Sequence, residues 1–164
     1  MANYSFDIES TYDKAEMNNV EQLVVREISS RYDFKGTPAG VEWLTDKKGL
    51  KVIGSNEWQL ETIIDMIGKQ LAKRSMTSKV LDLSGKVTEA NLRAWKDVLF
   101  RDGLSQDDAK KITKLLKDSH PKVRTQIQGP AVRCTSASKD ELQAVMSTLR
   151  AADFDFPLVF TNYR

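Results

Sequence analysis

A strand–helix–strand–strand–helix–strand order that runs twice along these 164 residues leaves the chain few architectures to choose from. Tyr4, Phe6 and Ile8 alternate with Ser5, Asp7 and Glu9, the period of a half-buried strand. Asp13 and Glu16 stand at capping-box spacing, and Met17, Val20, Val24 and Ile28 follow at helical intervals to about Tyr32, before Gly36 and Pro38 stop the helix. Val41, Trp43 and Thr45, a turn over 46–49 and an extended run over 50–53 predict a β-hairpin. A second helix, capped by Ser55 or Asn56, carries Leu60, Ile63, Ile64, Ile67 and Leu71, and residues 80–83 close this half as a strand.

The second half repeats the order. Ser105 to Asp108 opens a helix striped by Ala109, Ile112, Leu115 and Leu116; residues 122–128 alternate; Gly129 and Pro130 turn the chain into a strand over 131–135. Ser138 and Glu141 form a second capping box ahead of Leu142, Val145, Met146 and Leu149, and residues 158–163 close as a strand. A repeat of roughly 75–80 residues predicts an α+β protein of two ferredoxin-like domains, 1–88 and 89–164, each an antiparallel sheet covered by two helices. Because the chain starts and ends in strands, the domains can exchange terminal strands, and 160–164 can join the sheet of the first. Residues 88–100 set two signals against each other. Leu92, Trp95 and Leu99 share a helix face, whereas the repeat requires a strand; a strand over 94–100 keeps the repeat intact, with Trp95 and Leu99 flanking Asp97 on one face.

Several function classes drop out. One cysteine, Cys134, and one histidine, His120, exclude an internal disulfide and a Cys/His metal cluster. No G-x-S-x-G, G-x-x-x-x-G-K-[ST] or G-x-G-x-x-G run exists, so no enzymatic constellation and no cofactor is expected. Cys134 reads as a small buried strand residue and His120 as a solvated loop residue. No apolar run approaches the roughly 18 residues of a membrane span, and the N-terminus lacks the pattern of a signal peptide, so a cytoplasmic protein is expected. The net charge is small, 25 − 23 = +2, but uneven: residues 1–88 hold 12 basic and 13 acidic residues, and 89–164 hold 13 and 10.

Two groups of residues suit an anionic ligand. Along 122–128, Lys122, Arg124, Gln126 and Gln128 point one way and Val123, Thr125 and Ile127 the other; Arg133 on the next strand joins the polar side if the register allows. Cations there can hold phosphates and amides can meet base edges. A solvated sheet face, or one packed against another domain, describes the same residues. In Arg31-Tyr-Asp-Phe-Lys-Gly36, a base could stack on Phe34 or Tyr32 with a phosphate on Arg31 or Lys35, while helix capping accounts for the same cluster. The strand over 131–135 has no aromatic residue, which disfavours RNA binding of the RRM type.

Five segments in order, Tyr4-Ser-Phe-Asp-Ile-Glu-Ser10, Arg31 to Gly36, Lys122-Val-Arg-Thr-Gln-Ile-Gln-Gly129, Val132 to Arg150 and Phe160-Thr-Asn-Tyr-Arg164, make the chain resemble the YajQ family from end to end. The resemblance implies a small bacterial cytoplasmic protein with two ferredoxin-like domains that binds a nucleotide, with links in the family to cyclic di-GMP and to RNA. The site it suggests lies between domains and draws on Arg31, Phe34, Lys35, Lys122, Arg124, Gln126, Arg133 and Arg164. The alternatives are RNA or tRNA binding and an adaptor that docks a transcription factor; the expected state is a monomer or a weak oligomer. Asp97 and Asp102, and Ala137 where relatives carry a lysine, lower the positive potential of this chain.

Overall fold

The computed structural model describes residues 3–164; Met1 and Ala2, part of the N-terminal stretch read above for a signal peptide, lie outside the described residues. The strands are β1 (Tyr4–Glu9), β2 (Gly40–Trp43), β3 (Gly49–Gly54), β4 (Leu81–Asp82), β5 (Thr88–Ala90), β6 (Arg93–Phe100), β7 (Arg124–Gln128), β8 (Ala131–Ser136) and β9 (Val159–Thr161). The helices are α1 (Lys14–Ser30), α2 (Glu57–Lys73), α3 (Gln106–Ser119) and α4 (Lys139–Ala151). Each helix begins where a side chain accepts from an otherwise orphaned N–H: Asp13 from Glu16, Asn56 from Gln59, Ser105 from Asp108 and Ser138 from Glu141. The reciprocal half of the two expected capping boxes is not made. Glu16 instead accepts from Arg74 at 2.7 Å, and Glu141 meets the His120 ring at 3.2 Å.

Two antiparallel sheets result, in the order β7-β8-β1-β9 and β2-β3-β6-β4, with β5 also beside β6. Both orders are those of a split βαβ motif, so the chain is an α+β protein of two ferredoxin-like units. The units are discontinuous in sequence. One is Tyr12–Phe100; the other joins Arg101–Arg164 to the start of the chain as far as Thr11. The division at 88/89 follows the order of elements along the chain, whereas the contacts follow the two central strands: β1 pairs with β8 and β9, and β6 pairs with β3. Each half thus takes its central strand from the other half. The 159–161 strand stays with β7 and β8, alongside β1, and does not enter the sheet that holds α1 and α2.

The strand β6 settles the conflict over 88–100. Ala94 and Val98 are fully buried and Phe100 nearly so, while Asp97 and Leu99 on the opposite face are exposed. Pairing on both sides overrides the helical spacing of Leu92, Trp95 and Leu99. β5 and β6 are joined by Asn91 and Leu92 at φ 53° and 63°, a two-residue turn of the kind that prefers glycine at its second position. Leu92 is 92% exposed, so its side chain offers the turn no packing in return. Leu92→Gly is therefore expected to stabilise the Tyr12–Phe100 unit by about 0.5–1 kcal/mol, read as a rise in the urea midpoint at unchanged m-value.

One core fills between α1, α2 and their sheet, centred on Met17, Val20, Leu50, Val52, Ile63 and Ile67; the other lies under α3 and α4 around Phe6, Ile8, Ile112, Leu116, Val132 and Val145. No helix among the described residues is long and apolar enough to cross a membrane.

Candidate functional site

With α3 and α4 on one face of the β7-β8-β1-β9 sheet, the alternation of β1 and β8 sends Phe6, Ile8, Val132 and Cys134 into the core at no measurable exposure. The intervening residues face the other way, and the register sorts them into rows. Arg124 stands opposite Thr135, and Thr135 opposite Ser5. Ser5 in turn exchanges both main-chain hydrogen bonds with Arg164, at 3.1 and 2.9 Å. The row Arg124–Thr135–Ser5–Arg164 therefore crosses the sheet with an arginine side chain at each end, two hydroxyls between them and no acidic side chain. Three strand spacings separate its ends, about 14 Å.

The neighbouring row is Gln126–Arg133–Asp7–Thr161. Here Arg133 donates from Nε to Asp7 Oδ1 at 2.9 Å and from Nη2 to Oδ2 at 3.4 Å, and Asn162 donates to the same Oδ2 at 2.9 Å. Asn162 can do so because the C-terminal strand bulges. Thr161 faces Asp7 and Arg164 faces Ser5, so 162 and 163 both stand opposite Phe6, with Asn162 at φ 60°. Asp7 is only 8% exposed, yet the Arg133 hydrogen bonds, the Asn162 amide and the nearby Arg164 charge hold its carboxyl below the usual range against the opposing effect of burial. Arg133 is raised in return, chiefly by its bond to Asp7.

The residues singled out in the sequence fall into two groups, one on each unit. Arg124, Gln126, Arg133 and Arg164 share the open sheet face. Arg133 joins it as the register allows, but its charge is taken up by Asp7. Lys122 departs from the expected strand: it lies in a turn before β7, where His120 caps α3 and Val123 N–H bonds the His120 carbonyl at 3.0 Å. Lys122 and Arg124 are exposed and make no ion pair among the described residues.

Arg31, Phe34 and Lys35 belong to the Tyr12–Phe100 unit. Phe34 is 4% exposed and part of that core, so it cannot take the stacking role expected of it. A single 3-10 turn over Tyr32–Phe34 rotates its ring inward, and the Arg31 guanidinium covers the ring at 4.9 Å while binding Asp33 at 2.8 and 3.0 Å. Tyr32, 86% exposed, is the free ring of the pair, with Lys35 Nζ 5.7 Å from its centroid.

Burial pushes the Cys134 thiol up to about 12, in keeping with a buried strand residue. His120 is not solvated: its side chain is 15% exposed, and its ring nitrogens contact Glu141 at 3.2 Å and Thr148 Oγ1 at 2.8 Å, tying the end of α3 to α4. Ser5, Thr135, Asp7 and Asn162 escaped the sequence reading. Their polar alternation was visible, but nothing local says that β1 lies between β8 and β9.

A family model described as "Nucleotide-binding protein YajQ-like" matches residues 4–164. A protein of Trichodesmium erythraeum named "Nucleotide-binding protein" is 44% identical over 161 residues, covering 98% of this chain and 97% of the relative. Another of that name from Nocardioides sp. is 39% identical over 165 residues and 100% of both chains, and one from Yersinia pestis is 36% identical over 160 residues and 98% of both. The family model spans residues 4–164, nearly the whole chain, and the chain belongs to the YajQ-like family of nucleotide-binding proteins.

Proposed function

We propose that this chain is a non-catalytic nucleotide-binding protein whose ligand lies on the open face of the β7-β8-β1-β9 sheet, with a cyclic dinucleotide as the fitting class and a regulatory role as its use. The row Arg124–Thr135–Ser5–Arg164 carries the reading. Guanidinium groups bind phosphate bidentately, and hydroxyls between them accept and donate without adding charge. Two arginines set apart across the sheet suit a ligand with two separated phosphates better than a mononucleotide. Gln126 and the Asp7-anchored Arg133 border the row, where an amide and a fixed guanidinium can meet base edges. None of the residues in the two rows is aromatic, so a run of stacked RNA bases has no platform on this face. Family membership supports nucleotide binding.

Titration calorimetry with a mononucleotide, a linear dinucleotide and cyclic di-GMP tests this. The cyclic ligand is expected to bind tightest, Arg124→Ala and Arg164→Ala each to weaken it at least tenfold, and affinity to fall as salt rises. Equal affinities in the wild type and both variants would reject the site.

A further inference from the structure

A groove of about 330 Å³ opens in the other unit, between the C-terminal half of α1 and the start of β2. Val25 and Ile28 line it from the helix, Val41 from the strand, and Phe34, Lys35 and Thr37 from the connection between them. β2 is the outermost strand of its sheet. The phase of its ladder is fixed by Leu44 N–H, which donates to the Gly49 carbonyl at 3.0 Å. Hydrogen-bonded pairs alternate with non-bonded ones, so Glu42 turns its main-chain groups toward β3, and Val41 and Trp43 turn theirs away. Among the described residues no other main chain or side chain takes up those of Val41 and Trp43. A free strand edge thus leads out from the Gly40–Val41 wall of a largely apolar groove.

We propose that this groove docks an extended peptide ending in a free carboxylate, which adds to β2 as an antiparallel strand. The direction follows from charge. β2 leads away from the connection 31–39, so an antiparallel newcomer runs toward it and brings its C-terminus to Lys35. Lys35 has no carboxylate partner among the described residues, whereas the neighbouring Arg31 is occupied by Asp33. Main-chain bonds to Val41 and Trp43 supply affinity, and one aliphatic side chain of the peptide, directed between Val25, Ile28 and Val41, supplies selectivity. The site is on a different unit from the nucleotide face and does not rest on that reading.

The test uses the full chain and fluorescein-labelled eight-residue peptides ending in Val, Leu or Asp, each as free acid and as C-terminal amide, followed by fluorescence anisotropy. The Val and Leu free acids are expected to bind, the Asp peptide and the amides at least tenfold more weakly. Val41→Pro removes an N–H that the sheet does not use, and Val25→Arg fills the slot from the exposed helix face; both should abolish binding, and Lys35→Glu should weaken the free acids to the level of the amides. Should Val41→Pro fail to fold, judged by its circular dichroism, Val25→Arg decides. No anisotropy change at 1 mM protein, affinity indifferent to amidation, displacement of the peptide by a nucleotide, or a dimer that Val41→Pro dissolves would each overturn the proposal; the last would give the edge to a second copy of the chain.

Discussion

Arg133→Ala is expected to destabilise the unit that holds β1 and β8 at neutral pH, read as a fall in its urea midpoint. The substitution leaves the Asp7 carboxylate, 8% exposed, with Asn162 as its one remaining side-chain donor. The loss is smaller than for a fully buried pair, because the Arg133 side chain keeps 29% of its surface in water. The pH dependence distinguishes this cause from lost packing. In the wild type, Asp7 has a folded-state pKa below its unfolded value of about 3.9, so its contribution is present above that value and is lost as pH falls through the folded pKa. Without Arg133 the largest cause of the lowering is gone, and the folded carboxyl moves up from its wild-type value. The variant then loses less stability to acid than the wild type, and its deficit shrinks as pH falls below about 4. A deficit that stays unchanged below about pH 4 would remove the electrostatic explanation. Asp7→Asn combined with Arg133→Ala should be milder than Arg133→Ala alone, since no charge is left buried.

The second large effect is expected on the other unit. Gly49 lies opposite Leu99 in the β3–β6 pair, where a Cβ would approach the Leu99 Cα to 2.9 Å and would run into the Val98 carbonyl oxygen. The obstacle is backbone on a central strand, so no rotamer can yield. Gly49→Ala is expected to destabilise the Tyr12–Phe100 unit by about 3 kcal/mol, the upper end for overpacking. The three tryptophans, Trp43, Trp58 and Trp95, all belong to that unit, so urea unfolding followed by their fluorescence reports it alone. The Gly49→Ala midpoint should fall in fluorescence, while Arg133→Ala should move far-ultraviolet dichroism with little change in the tryptophan signal. A Gly49→Ala protein with the wild-type fluorescence midpoint would show that the strand pair can separate without cost.

Local structure was readable wherever local forces decide it. The alternation from Tyr4 to Ile8, the caps Asp13, Asn56, Ser105 and Ser138, and the stripes of all four helices stand in the structure where spacing places them. Partnership was not readable. That β1 lies between β8 and β9 depends on contacts between residues more than a hundred positions apart, and the polar row containing Ser5 and Arg164 exists only through that pairing. Arg133 shows the same limit: its side of the sheet follows from the strand period, but neutralisation by Asp7 does not. Phe34 departs from its expected role for a local reason: just past α1, a single 3-10 turn is enough to bury its ring.

The path of the chain also sets a timetable for its synthesis. β1 leaves the ribosome before the strands it pairs with, and Asp7 meets Arg133 only after 126 further residues are joined. At about 5–20 residues per second this is a wait of roughly 6–25 s. During that wait residues 12–100 can already close upon themselves, while the leading strand holds Phe6 and Ile8 with nothing to bury them. The nascent protein thus carries an unpaired apolar strand until β8 and β9 have been made.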